Sequence, residues 1–485
     1  MSTSPAIRRE PDTDLPDETS GISRRAALTR SAAGVGIALS GSYGGLFGAG
    51  AAPAHAAAGG ASAGRAAVGY GPLIDDPAGL LSLPAGFSYK VVAETGVTTL
   101  ESGGPTPSDP DGTAAFVRHG GNGSVLVVNH EVSGSEPFPV PRIPGFVYDP
   151  AVGGGTTNIE VDGGGNRIRE YVSLAGTLNN CAGGKSPWAT WLTCEEAERA
   201  SGQTKPHGYV FEVDPYDQDA NRDPQPIKAL GRYAHEALVI DPETGTIYLT
   251  EDAGNPNGLL YRWTPPQSAL PLGKGVLRTL ADDAGALEAM KASTPGGAHV
   301  PDLSVATAPG TTYRVEWSTV LDRDAVAVST RKQFTDAQVS RSRKLEGMWW
   351  GDGGAYFVCS FARFADGSAA QHDGQIWFLD PLAQTIELRL HFAYTPLDQD
   401  NDPDGPDNIT VSAYGGVIMA EDGEGKSHLV GATPSGEPFF FARNEHPDDS
   451  EFAGPTFSQD KKILFANIQS PGYVLAIQGP FVRQH

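Results

Sequence analysis

Cysteines, bases and long apolar runs are scarce in this chain, and each scarcity excludes something. Three cysteines in 485 residues, Cys181, Cys194 and Cys359, cannot make a disulfide framework, and an odd count leaves at least one thiol unpaired. Thirty-five lysines and arginines face 58 aspartates and glutamates, a net charge of −23. That balance excludes a basic face for nucleic acid or for anionic membranes. The chain has no P-loop, no dinucleotide fingerprint and no Gly-x-Ser-x-Gly elbow, so serine nucleophile chemistry has no motif behind it. Long helices are disfavoured by 61 glycines and 38 prolines.

The first 56 residues read as an address. Ser23-Arg24-Arg25-Ala26-Ala27-Leu28 fits the twin-arginine export pattern, a Gly/Ala-rich run follows from Ala32 to Ala52, and Pro53-Ala54-His55-Ala56 offers a cleavage site after Ala56. The run is too rich in glycine for a membrane anchor. Residues 57–65 are expected to be a flexible segment and 66–485 a single domain. The acids and bases of the first 56 residues balance, so the whole negative charge belongs to the part that leaves the cytoplasm. Acidity outside the cell serves solubility, and it also supplies oxygen ligands for hard cations.

Short apolar runs alternating with turn residues predict an all-β fold. Gly208-Tyr209-Val210-Phe211-Glu212-Val213-Asp214-Pro215 and Gly374-Gln375-Ile376-Trp377-Phe378-Leu379-Asp380-Pro381 are near copies of one another. Ala237–Ile240 leads through a turn into Thr246–Thr250 as a hairpin, and 457–467 repeats the idea. Recurrent strand–turn–strand units over four hundred residues point to a β-propeller of five or six blades, with a large β-sandwich as the alternative. One helix is expected over Ala281–Lys291.

In a propeller the chemistry gathers where strands from different blades end on the central channel. Polar groups recur at such positions: Asn129-His130-Glu131, Glu195-Glu196, His235-Glu236, Glu251-Asp252, Glu346, Glu421-Asp422 and Glu451. A ring of neighbouring acids is stable mainly when cations neutralise it. Cys181, in the glycine-rich stretch Asn180-Cys181-Ala182-Gly183-Gly184-Lys185, is the candidate thiolate ligand. Cys359 reads as core and Cys194 as core or support, with a Cys181–Cys194 disulfide as the alternative. Asp398–Gly405 includes Asp400, Asp402, Asp404 and Gly405, the opening of a calcium loop, but its twelfth position is Val411. Lys185 and Lys344 are the cations beside candidate ligands.

Together the block from Asn180 to Glu196, Asn129-His130-Glu131, Gly231–Glu236, Asp407-Asn408, Glu421-Asp422-Gly423, Glu451–Ser458 and Asn467–Gly472 resemble the PhoX-type alkaline phosphatases. The resemblance implies a six-bladed propeller whose channel holds two ferric ions and calcium ions, with an oxo group of the cluster as nucleophile. It implies Cys181 as the bridging thiolate and Glu195, Glu236, Glu346 and Glu451 as ligands. Glu421 or Asp422 would bind calcium, Glu131 would be a further ligand, and Asn129 and Lys344 would face the phosphoryl oxygens. The family often has Arg-x-Glu where this chain has Lys344-Leu345-Glu346, and lysine lacks the two-pronged grip of a guanidinium. Arg343 is expected to point to the opposite face. The function so implied is secreted phosphomonoester hydrolysis by a monomer. The other readings are a different calcium-dependent propeller hydrolase, such as a lactonase or phosphodiesterase, and a non-catalytic binding propeller. The partners expected are a small phosphate ester and the twin-arginine machinery, with no nucleic acid and no stable membrane insertion of the mature chain.

Overall fold

The computed structural model describes residues 68–396 and 402–484. The export signal, the 57–65 segment and the Asp398–Asn401 part of the candidate calcium loop lie outside them. The described chain is all-β and propeller-like, and its only helices are 3-10 turns of three or four residues. No helix among the described residues is long and apolar enough to cross a membrane.

Antiparallel meanders follow one another along the chain. Pro110–Val117, Gly123–His130, Gly154–Asp162 and Arg167–Thr177 make one sheet, and Asn180–Lys185, Trp191–Glu195 and Val210–Val213 the next. Two further meanders start at His235–Ile240 and Leu345–Gly351, and Thr312–Thr319 joins their outer edges into one wide sheet. Pro406–Val411 opens the following sheet, which ends on the N-terminal strands Leu81–Pro84 and Leu73–Ile74. In the last sheet Phe452–Phe457, Ile463–Ile468 and Tyr473–Gln478 take Ser88–Glu94 as a fourth strand. The first and last strands of the described residues are thereby knitted into shared sheets, which protects the edges that an open array would expose.

The inner strands Pro110–Val117, Asn180–Lys185, His235–Ile240, Leu345–Gly351, Pro406–Val411 and Phe452–Phe457 pack each against the next, and the last packs against the first. Apolar layers fill the spaces between meanders. One joins Val92, Ala115, Leu126, Val128 and Ile159 to Phe465 and Val474, so the first and last sheets share a core. Trp191, Trp263 and Trp377 are wholly buried, and truncating any of them should cost roughly 3–5 kcal/mol.

The expected hairpin forms, with Ile240 paired to Ile247. The near-copied segments become third strands of their meanders, Val210–Val213 and His372–Asp380, which explains their likeness. The helix expected over Ala281–Lys291 does not form. Gly285, at φ +70°, turns the chain there, and Ala286–Ser293 becomes a strand between Leu260–Thr264 and Thr312–Thr319. Ala, Leu, Glu, Met and Lys favour helix locally, but pairing on both edges outweighs a few tenths of a kcal/mol per residue.

Candidate metal centre

The inner strands run the same way around the ring, so all of them begin at the same mouth of the channel. Five of them carry a β-bulge just after their first residue. Asp111-Gly112 together oppose Asn129, Cys181-Ala182 oppose Cys194, Glu236-Ala237 oppose Thr250, Glu346-Gly347 oppose Val358, and Asp407-Asn408 oppose Ala420. A bulge re-aims the extra side chain, and here its first residue is each time an acid or a cysteine. The sixth inner strand has its bulge at Gly454-Pro455, and Glu451 reaches in from just before the strand.

In four of the five bulges the next residue is small, Gly112, Ala182, Ala237 and Gly347, and at the two glycines the reason is steric. A Cβ on Gly112 would lie 2.5 Å from Cα of Ala182, and one on Gly347 2.8 Å from Cα of Asn408. These glycines let the backbone of the next inner strand come close, drawing the ligands of adjacent strands together. Three sets of ligand atoms lie within 4.8 Å of one another: Cys181, Glu196 and Glu236; Glu236, Glu346 and Asp407; Asp407, Asp422 and Glu451. Glu236 and Asp407 each belong to two sets, so the sets form one continuous arc.

The Glu-acid pairs divide their labour. In Glu195-Glu196, Glu251-Asp252 and Glu421-Asp422 the first residue ends the second strand of a meander and the next faces the channel, as alternation along a strand requires. Glu195 accepts from Leu178 N (2.9 Å), Gly208 N (2.8 Å) and Tyr209 N (3.1 Å), and meets His207 Nδ1 at 2.6 Å. Those contacts use the lone pairs of its carboxylate, so Glu196 and not Glu195 joins Cys181 and Glu236. Glu421 likewise takes His428 N at 2.8 Å and Asp404 N at 3.0 Å, which leaves Asp422 at the mouth. Among the groups that could hold a metal ion, Glu196 thus stands where Glu195 was expected, and of the expected alternatives Glu421 or Asp422 it is Asp422 that joins Asp407 and Glu451.

Asn129 also has a different task from the one expected. Its Nδ2 donates to Cys181 O (3.0 Å) and Ala182 O (2.6 Å), and its Oδ1 accepts from Trp191 Nε1 and Thr193 Oγ1, both at 2.9 Å. The amide is fully buried and fully used, so it fixes the bulge that carries Cys181 and does not face a phosphoryl group. Thr250, opposite another bulge, ties across in the same way to Glu346 O at 2.8 Å. Glu131 sits beside the arc, its Oε2 accepting from Gln469 Nε2 at 2.7 Å, and the same amide donates to Asp111 at 2.9 Å. Lys344, at φ +42°, places Nζ 2.8 Å from Glu346 and 3.5 Å from Asp252. Arg343 turns away to Asp302 and to the carbonyls of Asp366 and Gly367. All three cysteines are free and buried, so Cys181 and Cys194 are not joined.

The family model described as Alkaline phosphatase PhoX matches residues 68–472. The chain belongs to the alkaline phosphatase PhoX family. Among curated proteins none matches it. Among solved structures, PhoX of Pseudomonas fluorescens in complex with vanadate, a transition state analogue, is 18% identical. The likeness covers 82% of this chain and 96% of that one at a TM-score of 0.61, which shows a shared fold. A gluconolactonase from Xanthomonas campestris is 11% identical over 85% of this chain and 98% of its own, with a TM-score of 0.36, too slight to argue from. As a PhoX family member the chain is a phosphoric monoester hydrolase.

The donor set fits the metal dependence of that family. Burial, with neighbouring carboxylates, holds Glu131, Glu196, Glu236, Glu346, Asp407 and Glu451 well above the ordinary carboxylate range and Asp111 at about 6. Burial and then Glu236 and Glu196 push the Cys181 thiol up as well. Lys344 is the one ammonium seated among these acids in the described residues, too little to balance them. Cations at the three sets would let the thiol and carboxyls ionise together. Glu196 and Asp252, from the acid pairs expected on the channel, complete the mouth together with Asp111 and Asp407, which were not expected as ligands. An acid followed by a small or amide residue at the head of an apolar strand, as in Asp111-Gly112 and Asp407-Asn408, is the signal that could have found two of them.

Proposed function

We propose that this protein is an exported phosphomonoesterase whose channel mouth holds a cluster of iron and calcium ions. The observation that carries this reading is the repeated bulge, which brings Cys181, Glu236, Glu346 and Asp407 from four inner strands into a single arc, with the bulged Asp111 of a fifth as a charged neighbour. A lone soft thiolate among hard carboxylates suits a mixed centre, with iron at Cys181, Glu196 and Glu236 and calcium among the all-oxygen sets around Glu346, Asp407, Asp422 and Glu451. When bound, the ions supply positive charge for the phosphoryl oxygens and activate the attacking oxygen.

The chain's own residues then have distinct tasks. Lys344 supplies a cation at the edge of the arc, held by Glu346 and Asp252, and its assigned task is to meet an ester oxygen. Asn129 and Thr250 hold the bulges of neighbouring strands in register, so the ligands are pre-positioned. No side-chain nucleophile is needed. Six meanders with a closed cycle of inner strands support a reading of six blades, in one domain from about residue 66 to 485. Ser23–Leu28 and Pro53–Ala56 support twin-arginine export with cleavage near Ala56, and the chain is taken to act as a monomer.

The test is phosphate release from an aryl phosphate at alkaline pH, with metal analysis of protein exported in its native host. Turnover that disappears on chelation and returns with calcium, in protein carrying iron, is the expected result. Full turnover in thoroughly metal-free protein would overturn the cluster.

A further inference from the structure

A pocket formed by the loop that follows Glu196 and the turn that precedes Glu236 has a composition at odds with the rest of the chain. Its volume is about 450 Å³ and its lining is Arg199, Ala200, Gln203, Thr204, Lys205, Pro206 and Arg232. Three cations and no acid line it, in a protein with a net charge of −23. None of the three cations forms an ion pair with an acid among the described residues. Lys205 Nζ lies over the Tyr148 ring at 4.5 Å, and Arg232 Nε is buried without a hydrogen-bond partner. An unpartnered guanidinium nitrogen withdrawn from solvent is costly unless something fills its place.

The pocket is fixed relative to the metal arc. Arg199 follows Glu196 by three residues and Arg232 precedes Glu236 by four, so extended chain keeps each within about 15 Å of an arc ligand, Cα to Cα. A buried relay holds the loop: His207 meets Glu195 at 2.6 Å and Asp149 at 3.3 Å, and Asp149 accepts from Thr204 N at 2.6 Å and Lys205 N at 2.8 Å. Gln203 braces the loop from inside, its Oε1 taking Ala200 N at 2.5 Å and its Nε2 donating to Lys205 O at 3.0 Å. The strand end that presents Glu196 to the arc therefore also anchors the cations.

We infer that this pocket binds a second anionic group of the substrate, so that the preferred esters are phosphate monoesters carrying another phosphate or carboxylate away from the scissile one. The inference rests on the phosphatase reading and names a substrate class for it. An acidic protein repels polyanions at long range, and a basic patch beside the mouth reverses that locally. Two guanidiniums and an ammonium also suit phosphate or carboxylate geometry.

The metal-loaded enzyme should be compared on p-nitrophenyl phosphate and fructose 1,6-bisphosphate. The bisphosphate should be favoured in kcat/KM by about tenfold or more, less so as salt rises. R199A and K205A, both at exposed positions, should each lower that preference several-fold through KM while aryl phosphate turnover stays unchanged. R232A, half-buried, should lower it further and is read only with its melting temperature. Equal preference in wild type, or a preference untouched by R199A and K205A, overturns the inference. Should neither ester be turned over, the phosphatase reading fails separately. Calorimetric binding of fructose 1,6-bisphosphate against fructose 6-phosphate then still decides the pocket, and equal affinity overturns it.

Discussion

The two ends of the channel are built from the same strands and have opposite chemistry. At the end where the inner strands begin, bulges expose Asp111, Cys181, Glu236, Glu346 and Asp407 to one another. At the end where they finish, Phe116, Val117, Ile240, Met348, Trp349 and Trp350 line a cavity of about 500 Å³ with Lys185 at its side. Between the two lies a gap of only about 20 Å³, walled by Gly112, Ala182, Ala237, Gly347 and Met348. At the first end, packing energy is given up so that like charges can be crowded together. At the other, aromatic burial helps to hold the ring that does the crowding.

The comparison is broken most directly at the ligands. C181A and E236Q should each lower turnover of an aryl phosphate on the order of a thousandfold or more, since each removes a donor from a shared set. W350A at the far end should leave turnover within about twofold. Equal losses at the two ends would mean that the chemistry is not confined to the arc.

The next largest contrast is between neighbours. E195Q should destabilise the fold by about 3–5 kcal/mol, because it breaks the buried contact with His207 and weakens the grip on Gly208 and Tyr209. E196Q should leave the melting temperature of metal-free protein unchanged or raise it while turnover collapses. The reverse pattern would show that Glu195 is the ligand after all. N129A should cost roughly 2–3 kcal/mol, as Trp191 Nε1 and Thr193 Oγ1 lose their acceptor, and denaturant unfolding would measure it.

Metal removal sharpens the contrast through pH. In metal-free protein the arc carboxyls hold their protons to higher pH folded than unfolded, where Glu titrates near 4.5 and Asp near 3.8. Between those values and the raised folded ones, Asp111 at about 6 among them, the folded state binds more protons. Stability therefore falls as pH rises through that window. Calorimetry of chelated protein should show a melting temperature that declines from pH 5 to 8, and metal-loaded protein should show a much flatter curve. A flat curve for chelated protein would mean that the acids are not crowded. Smallest of all, W350A should cost about 1–3 kcal/mol in stability, consistent with a half-buried aromatic.

Much of the site was legible because its residues sit in recognisable local settings. Cys181 stood out among its glycines, and the Glu-acid pairs stood out at strand ends. Which member of a pair faces the channel was not legible, because alternation fixes only that Glu195 and Glu196 point to opposite faces. Asn129 was misread for a similar reason. Its neighbourhood looks polar in sequence, but its four hydrogen-bond partners come from the segment 181–193, more than fifty residues away. The Ala281–Lys291 segment failed because local helix propensity was the only signal, and partner strands on both sides overruled it.

The sequence by itself determined the class of fold, the acid-rich mouth and the thiol set among glycines, because strand alternation, turn chemistry and charge are local properties written residue by residue. The strand and bulge that hold Cys181 came from pairing. Only the tertiary structure decided which acids meet. That depends on where each bulge falls against its partner strand and on how closely Gly112 and Gly347 let the next inner strand approach, and both are distances between segments far apart in the chain.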